Sequence, residues 1–198
     1  MARVSQEHLD ARRRQIVEGA ARCFARDGFH ATSMQDVLKE TGLSAGAVYR
    51  YFPSKDAIIV ALALEVLERV GGSFSRAAAA EPPVQPGDVL ADTLEEVLQS
   101  LDVPPSLIIQ VWAETLRNPE LAAVLHRGIN TVIASWTAIT QNYQRQGLMR
   151  DDIPAEHVAR TVAACVQGFL IQRALLAPDL RPDVLRDGLR GLTSLTLD

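Results

Sequence analysis

The chain has 198 residues, 47% hydrophobic and 22% charged, a balance that supports a folded core in one or two domains and excludes wholesale disorder. Lys and Arg number 20 against 24 Asp and Glu, a net charge of -4, which taken whole argues against a nucleic-acid partner. No apolar run approaches the ~18 residues of a bilayer span, and the first residues lack the apolar stretch of a secretory leader. The two cysteines, Cys23 and Cys165, lie too far apart for a disulfide framework or a zinc site. A cytoplasmic protein without metal, cofactor or membrane partner is therefore expected.

Good helix formers dominate, strict apolar–polar alternation is missing, and turn signals divide the chain into about nine helical segments, so the expected fold is all-α. The first segment runs from about Gln6 to Asp27, with Ile16, Ala20 and Phe24 on one face and Gly28 as its stop. The second follows Ser33, turns Met34, Val37 and Leu38 inward and stops at Gly42. A third occupies Ala45 to Tyr51, ending before Pro53, and Ser54 caps a fourth that runs through Ile58, Leu62, Val66 and Val70. After the break from Glu81 to Gly87, Asp88 caps a fifth helix to about Leu101, and Pro104-Pro105 opens a sixth. Asn118-Pro119 starts a long seventh helix ending at Gly147. Asp151 and Asp152 are expected to cap an eighth, about Ala155 to Ala177, and a ninth beyond Pro182 carries Leu185, Leu189 and Leu192.

The spacing between Thr32 and Lys55 is more specific. Two short helices joined by Thr41-Gly42-Leu43-Ser44 fit a helix-turn-helix, whose second helix enters the DNA major groove. Leu43, Val48 and Phe52 anchor that helix, which leaves Ser44, Ala45, Gly46, Ala47, Tyr49 and Arg50 on the exposed face. Small residues there permit close approach to base edges, while Tyr49, Tyr51, Arg50 and Lys55 offer hydroxyls and positive charge to phosphates. The charge distribution agrees. Residues 1–60 hold nine basic and seven acidic residues, net +2; the remainder holds eleven and seventeen, net -6. From Thr41 to Lys55 no acidic residue occurs.

The stretch Phe24-Ala25-Arg26-Asp27-Gly28-Phe29-His30-Ala31-Thr32-Ser33-Met34-Gln35-Asp36-Val37 resembles the first-to-second-helix region of TetR-family (AcrR-like) transcriptional regulators. Thr41-Gly42-Leu43-Ser44-Ala45-Gly46-Ala47-Val48-Tyr49-Arg50-Tyr51-Phe52-Pro53-Ser54-Lys55-Asp56 is similar to the family's recognition segment nearly position for position. The match covers about residues 10–62. It implies that Thr32 and Ser33 meet a phosphate, that Ser44, Ala45 and Ala47 face bases, that Tyr49 and Tyr51 hold the DNA backbone, and that Lys55 contacts a phosphate. It places a DNA-binding domain at 1–54 and a helical effector-binding and dimerisation domain at 55–198. Double-stranded operator DNA, a small-molecule effector of partly apolar character and a second copy of the chain are the implied partners.

In the acidic body, polar groups stand among apolar ones, as in small-ligand sites: Trp112, Glu114, Thr115, Trp136, Gln167 and Phe169 are the candidate ligand contacts. Val162, Val166, Leu170, Ala174, Leu185, Leu189 and Leu192 give the last two helices an apolar breadth that suits a homodimer interface. The reading is a ligand-responsive transcriptional regulator, a repressor on the family's precedent, with the fourth helix carrying the signal from body to head. Two alternatives stand beside it. One is a DNA-binding regulator controlled by a partner protein rather than by a small molecule. The other is a helical enzyme, although His8, His30, His126 and His157 are scattered and no nucleophile or phosphate-loop motif occurs.

Overall fold

A computed structural model describes residues 6–100 and 104–193, which form nine α-helices and no strand. The head is α1 (Gln6–Asp27), α2 (Met34–Thr41) and α3 (Ala45–Tyr49); α4 (Lys55–Ala78) runs from it into the body. The body adds α5 (Pro86–Ser100), α6 (Pro105–Glu114), α7 (Pro119–Arg145), α8 (Ala155–Leu175) and α9 (Pro182–Thr193). Local chemistry sets most boundaries. Gly28, Gly42 and Gly147 adopt φ of 86°, 67° and 69°, the left-handed conformation that ends a helix at little cost in glycine. Ser33, Ser44, Ser54 and Asn118 each accept a first-turn amide of α2, α3, α4 and α7.

Two helix boundaries and one cap differ from expectation. Helix α3 stops at Tyr49, and Arg50 and Tyr51 lie in the turn that follows, because Pro53 drives the residue before it out of the helical region. Helix α5 begins at Pro86, not at Asp88: the Gln85 carbonyl accepts from Asp88 and Val89, and proline suits a first helical position. The Asp88 carboxylate is instead an ion-pair partner, 2.9 Å from Arg186 Nε and 2.8 Å from Arg190 on α9. Helix α8 starts after Pro154 without a side-chain cap, and Asp152 pairs with Arg150 rather than capping it.

Head and body share a core. Ile16, Phe24, Val37, Val48 and Ile58 pack in one buried cluster with Leu107 of α6 and Leu121 of α7. Burying each such side chain contributes about 1.5–3 kcal/mol, so the head is held against the body by apolar packing as well as by α4. Inside the body, α4 and α7 approach closely at Gly128, where a Cβ would fall 2.3 Å from Leu67 Cδ1. Helices α5 and α9 do so at Gly87, where a Cβ would lie 2.8 Å from the Arg186 carbonyl oxygen.

Candidate nucleic-acid interface and effector cavity

Val48, fully buried, and Phe52, 4% exposed, fix α3 to the head core. The opposite side of α3 presents Ser44, Ala45, Gly46, Tyr49 and Arg50 to solvent, with Ala47 half-buried at its edge. Tyr49 is 47% exposed, which leaves much of its side chain accessible from solvent. A Cβ on Gly46 would meet nothing within 4 Å. Internal packing therefore does not require glycine there. Tyr51 is half-buried against the core, and its hydroxyl accepts from Arg50, whose guanidinium lies 5.2 Å above the Tyr51 ring. That stacking stiffens Arg50 as it projects from the turn.

The residues expected at the phosphates have other engagements. Thr32 is 1% exposed and its hydroxyl donates to the Gly28 carbonyl at 2.8 Å, so it offers no group to solvent. Ser33 forms a reciprocal cap with Asp36: its hydroxyl accepts the Asp36 amide, and its own amide donates to the Asp36 carboxylate at 2.8 Å. This bonding holds the Asp36 carboxyl below its usual range. Lys55 Nζ donates to the carbonyls of Phe29, Thr32 and His30 at 2.8, 3.0 and 3.2 Å and sits 4.7 Å above the Phe29 ring. All three ammonium donors are thus spent on the α1–α2 loop.

The fold brings two further groups to α3, Arg12 from the basic run Arg12-Arg13-Arg14 and His8. His8 and Arg12 of α1 line a surface groove with Ser44, Gly46, Ala47 and Arg50. Their spacing, four residues on one helix face, is a signal the sequence holds. Arg13, by contrast, turns away, pairing with Glu65 at 2.9 Å and lying 5.5 Å from the Phe52 ring centroid. Burial outweighs that pairing and pushes the Glu65 carboxyl above its usual range.

The body holds a cavity of about 180 Å³, open on one side, between α4, α5, α6, α7 and α8. Its walls include Leu62, Val66 and Phe74 of α4, Leu94 of α5, Leu107, Ile108, Val111 and Trp112 of α6, Ile129 of α7, and Val166 and Leu170 of α8. Of the six candidate ligand contacts, Trp112 and Gln167 line it. Trp136 sits behind the wall, its ring 5.4 Å from that of Phe74, with its indole N–H buried and unpartnered. Phe169 packs in one cluster with the wall residues Leu94 and Leu170 without lining the cavity itself, and the Thr115 hydroxyl donates to the Trp112 carbonyl. Glu114, 8% exposed, points toward the head, where it lies 3.1 Å from His30 Nε2. One turn earlier on the same side of α6, Gln110 Oε1 accepts the Phe29 amide at 2.9 Å. Helix α6 therefore touches the cavity with one face and the α1–α2 loop with the other. So α4 is not the sole link between head and body.

Most of the residues expected at a dimer interface face inward. Val162 and Leu170 are buried, and Val166, Leu185 and Leu189 pack against the body's own core. Ala174 is half-buried, and Leu192 is exposed. The apolar surface of α8 and α9 is carried instead by Ile171, Leu175, Val184 and Leu192, which are 41%, 67%, 54% and 68% exposed.

Residues 16–62 match the bacterial regulatory proteins of the tetR family, and residues 86–196 match the C-terminal region of BetI-type transcriptional repressors. The chain belongs to the TetR family. It is 33% identical over 176 residues to the HTH-type transcriptional repressor Rv1474c of Mycobacterium tuberculosis, covering 88% of each chain. With the regulator UidR of Escherichia coli it shares 28% identity over 192 residues, 94% of this chain and 93% of UidR. Among solved structures, GusR of Salmonella enterica superposes with a TM-score of 0.74 at 31% identity, covering 98% of this chain and all of GusR. A regulator from Saccharomonospora viridis, solved with choline, gives 0.70 at 27% identity, covering 92% of this chain and 95% of that one. This TetR-family protein is accordingly a DNA-binding transcriptional regulator and not an enzyme. Among its described residues no helix is long and apolar enough to cross a membrane, and no three His, Cys, Asp or Glu side chains are grouped to hold a metal.

Proposed function

We propose that the protein is a homodimeric cytoplasmic repressor that leaves a palindromic operator when a small molecule fills the cavity of its body. The observation that carries this reading is the double contact of α6, cavity wall on one side and Gln110–Phe29 and Glu114–His30 on the other. A ligand that shifts α6 moves the loop preceding α2, and with it the whole head. The division at residue 54/55 follows function rather than packing, since both parts share a core.

On the DNA side, Ser44, Ala45, Gly46 and Ala47 approach base edges, and Tyr49 and Arg50 hold the phosphates. His8 and Arg12 extend the basic surface along α1. With alanines at 45 and 47, base contact is to thymine methyls, and Arg50 supplies the polar readout. Two heads ~34 Å apart read successive major grooves, and the exposed strip of Ile171, Leu175, Val184 and Leu192 joins the copies. That relatives bind small molecules supports the effector: one such structure holds choline.

Selection of bound sequences from a random DNA pool tests the proposal. The expected result is an enriched palindrome whose recovery drops for Tyr49→Ala while the protein still dimerises. An enriched sequence without two-fold symmetry overturns the dimeric reading, and equal recovery with Tyr49→Ala overturns the assignment of α3.

A further inference from the structure

The chemistry of the cavity narrows the effector. Among its lining side chains only Thr93, Trp112 and Gln167 carry polar atoms, and no charged group faces it. An ion entering such a space loses its hydration without a counter-charge, a cost that shape complementarity does not recover. The cavity's 180 Å³ is somewhat larger than an apolar protein cavity of about 150 Å³ that takes up benzene. That comparison sets the ligand at roughly 7–10 heavy atoms. Thr93 adds the polar detail. It is 7% exposed and lines the cavity from α5, inside the mouth. A hydroxyl on an otherwise apolar wall is the group placed to bond a ligand oxygen and fix its orientation. Gln167 also lines the space yet is itself exposed, which places it at the mouth.

We infer that the effector is an uncharged, compact and mostly hydrocarbon molecule, a single aromatic ring or a branched alkyl of similar size, with one hydroxyl or carbonyl bonded to Thr93. The inference rests on the reading of the cavity as the effector site. Long acyl chains and bulky glycosides exceed the space, and carboxylates and quaternary ammonium ions lack a partner in it.

The test uses the full chain on its selected operator, with 4-ethylphenol, ethylbenzene, benzoate and choline as probes. Binding is read from tryptophan fluorescence, which Trp112 reports from the wall, and release from operator affinity. Wild type is expected to bind 4-ethylphenol most tightly and to leave DNA on binding it. Thr93→Val, which keeps the shape and removes the hydroxyl, is expected to weaken 4-ethylphenol about tenfold and ethylbenzene less than twofold. A melting curve for each variant checks folding. Tighter binding of benzoate or choline overturns the ligand class and leaves the effector site standing, as does equal weakening of both neutral probes by Thr93→Val. Failure of all neutral probes to bind overturns the class as well. A folded Val166→Phe variant, with a wall residue enlarged into the space, separates the two levels. If it still releases DNA at the wild-type concentration of 4-ethylphenol, the cavity is not the effector site.

Discussion

Lys55 provides the sharpest discrimination between what the recognition segment implies and what the fold does with it. A lysine that binds phosphate contributes to affinity through counterion release, and losing it lowers the salt slope of DNA binding by about one. Here the ammonium instead donates to the Phe29, Thr32 and His30 carbonyls and covers the Phe29 ring. Charge-assisted hydrogen bonds contribute about 1.5–3 kcal/mol each. Lys55 is half-exposed, and water replaces part of what is lost in a Lys55→Met variant, so roughly 2–3 kcal/mol is the expected net cost. For a chain of this length that corresponds to a fall in melting temperature of about 5–10 °C. The assay is a thermal melt alongside operator titrations at several salt concentrations, below the melting range of the variant. The structural role predicts a large drop in melting temperature with a salt slope within a few tenths of wild type. An unchanged melt with a slope reduced by about one refutes it and returns Lys55 to the phosphates.

Three further substitutions test other contacts. Gln110→Leu removes the acceptor of the Phe29 amide; effector affinity of the free protein is expected to stay within twofold, while the effector's influence on operator affinity shrinks about fivefold, as measured by titration with and without ligand. Ser33→Ala removes the cap of α2 and lowers the melting temperature by about 2–4 °C at neutral pH. Because Asp36 titrates below its ordinary 3.8 in the folded chain, its contribution is present above that pH and is lost as pH falls through the lowered value; the difference between wild type and Ser33→Ala is therefore expected to shrink in acid to the part due to the bond from the Asp36 amide, as melts from pH 7 to 2 will show. Gly128→Ala puts a methyl against the free end of Leu67, a cavity-wall residue; the leucine yields into the cavity, and effector affinity is expected to fall at least about tenfold while overpacking costs about 1–3 kcal/mol of stability. Effector binding is measured by fluorescence titration, and unchanged affinity in a folded variant contradicts the position of the site.

The helices were legible because their punctuation is local. Ser33, Ser54 and Asn118 act through amides three residues away, and Gly28, Gly42 and Gly147 through their own backbone. The recognition face was legible for a related reason: Val48 and Phe52 tie a short helix to a core made by its immediate neighbours in sequence. Long-range pairings were not. Nothing near Asp88 says that Arg186 and Arg190 await it across the body, and so a cap was the natural reading of an aspartate after Pro86-Gly87. The outward apolar positions of the last two helices were hidden for the same reason. Helix α8 is apolar around most of its circumference, and only the positions of α4, α5 and α6 decide that Val166 and Leu170 look inward and Ile171 and Leu175 outward. Glu114 and Gln110 were ambiguous in sequence too. Polar residues on an apolar helix suit a ligand site or an interface with another element equally well, and these two meet the head.

The loop from Gly28 to Ser33 is where the two halves of the molecule negotiate. It is held from α4 by three donations from Lys55 and from α6 by Gln110 and Glu114. Helices α1, α2 and α3 share one core, so they resist internal deformation and move as a unit. An effector that pushes on Leu107, Ile108, Val111 or Trp112 therefore has two ways to relax: compress α6 against the loop, or tilt α6 and carry the loop with it. Compression meets a buried Leu107 packed in the head's own cluster, where overpacking costs about 1–3 kcal/mol. Tilting meets two polar contacts at the end of a ten-residue helix, with solvent ready to replace what is lost. The second route costs less, and it rotates the head about α4 without unfolding it. In a dimer that rotation alters the separation of the recognition helices, and a separation fixed by the pitch of DNA tolerates little alteration. A coupling of about 1–3 kcal/mol, the usual range, then suffices to lower operator affinity roughly 5- to 150-fold.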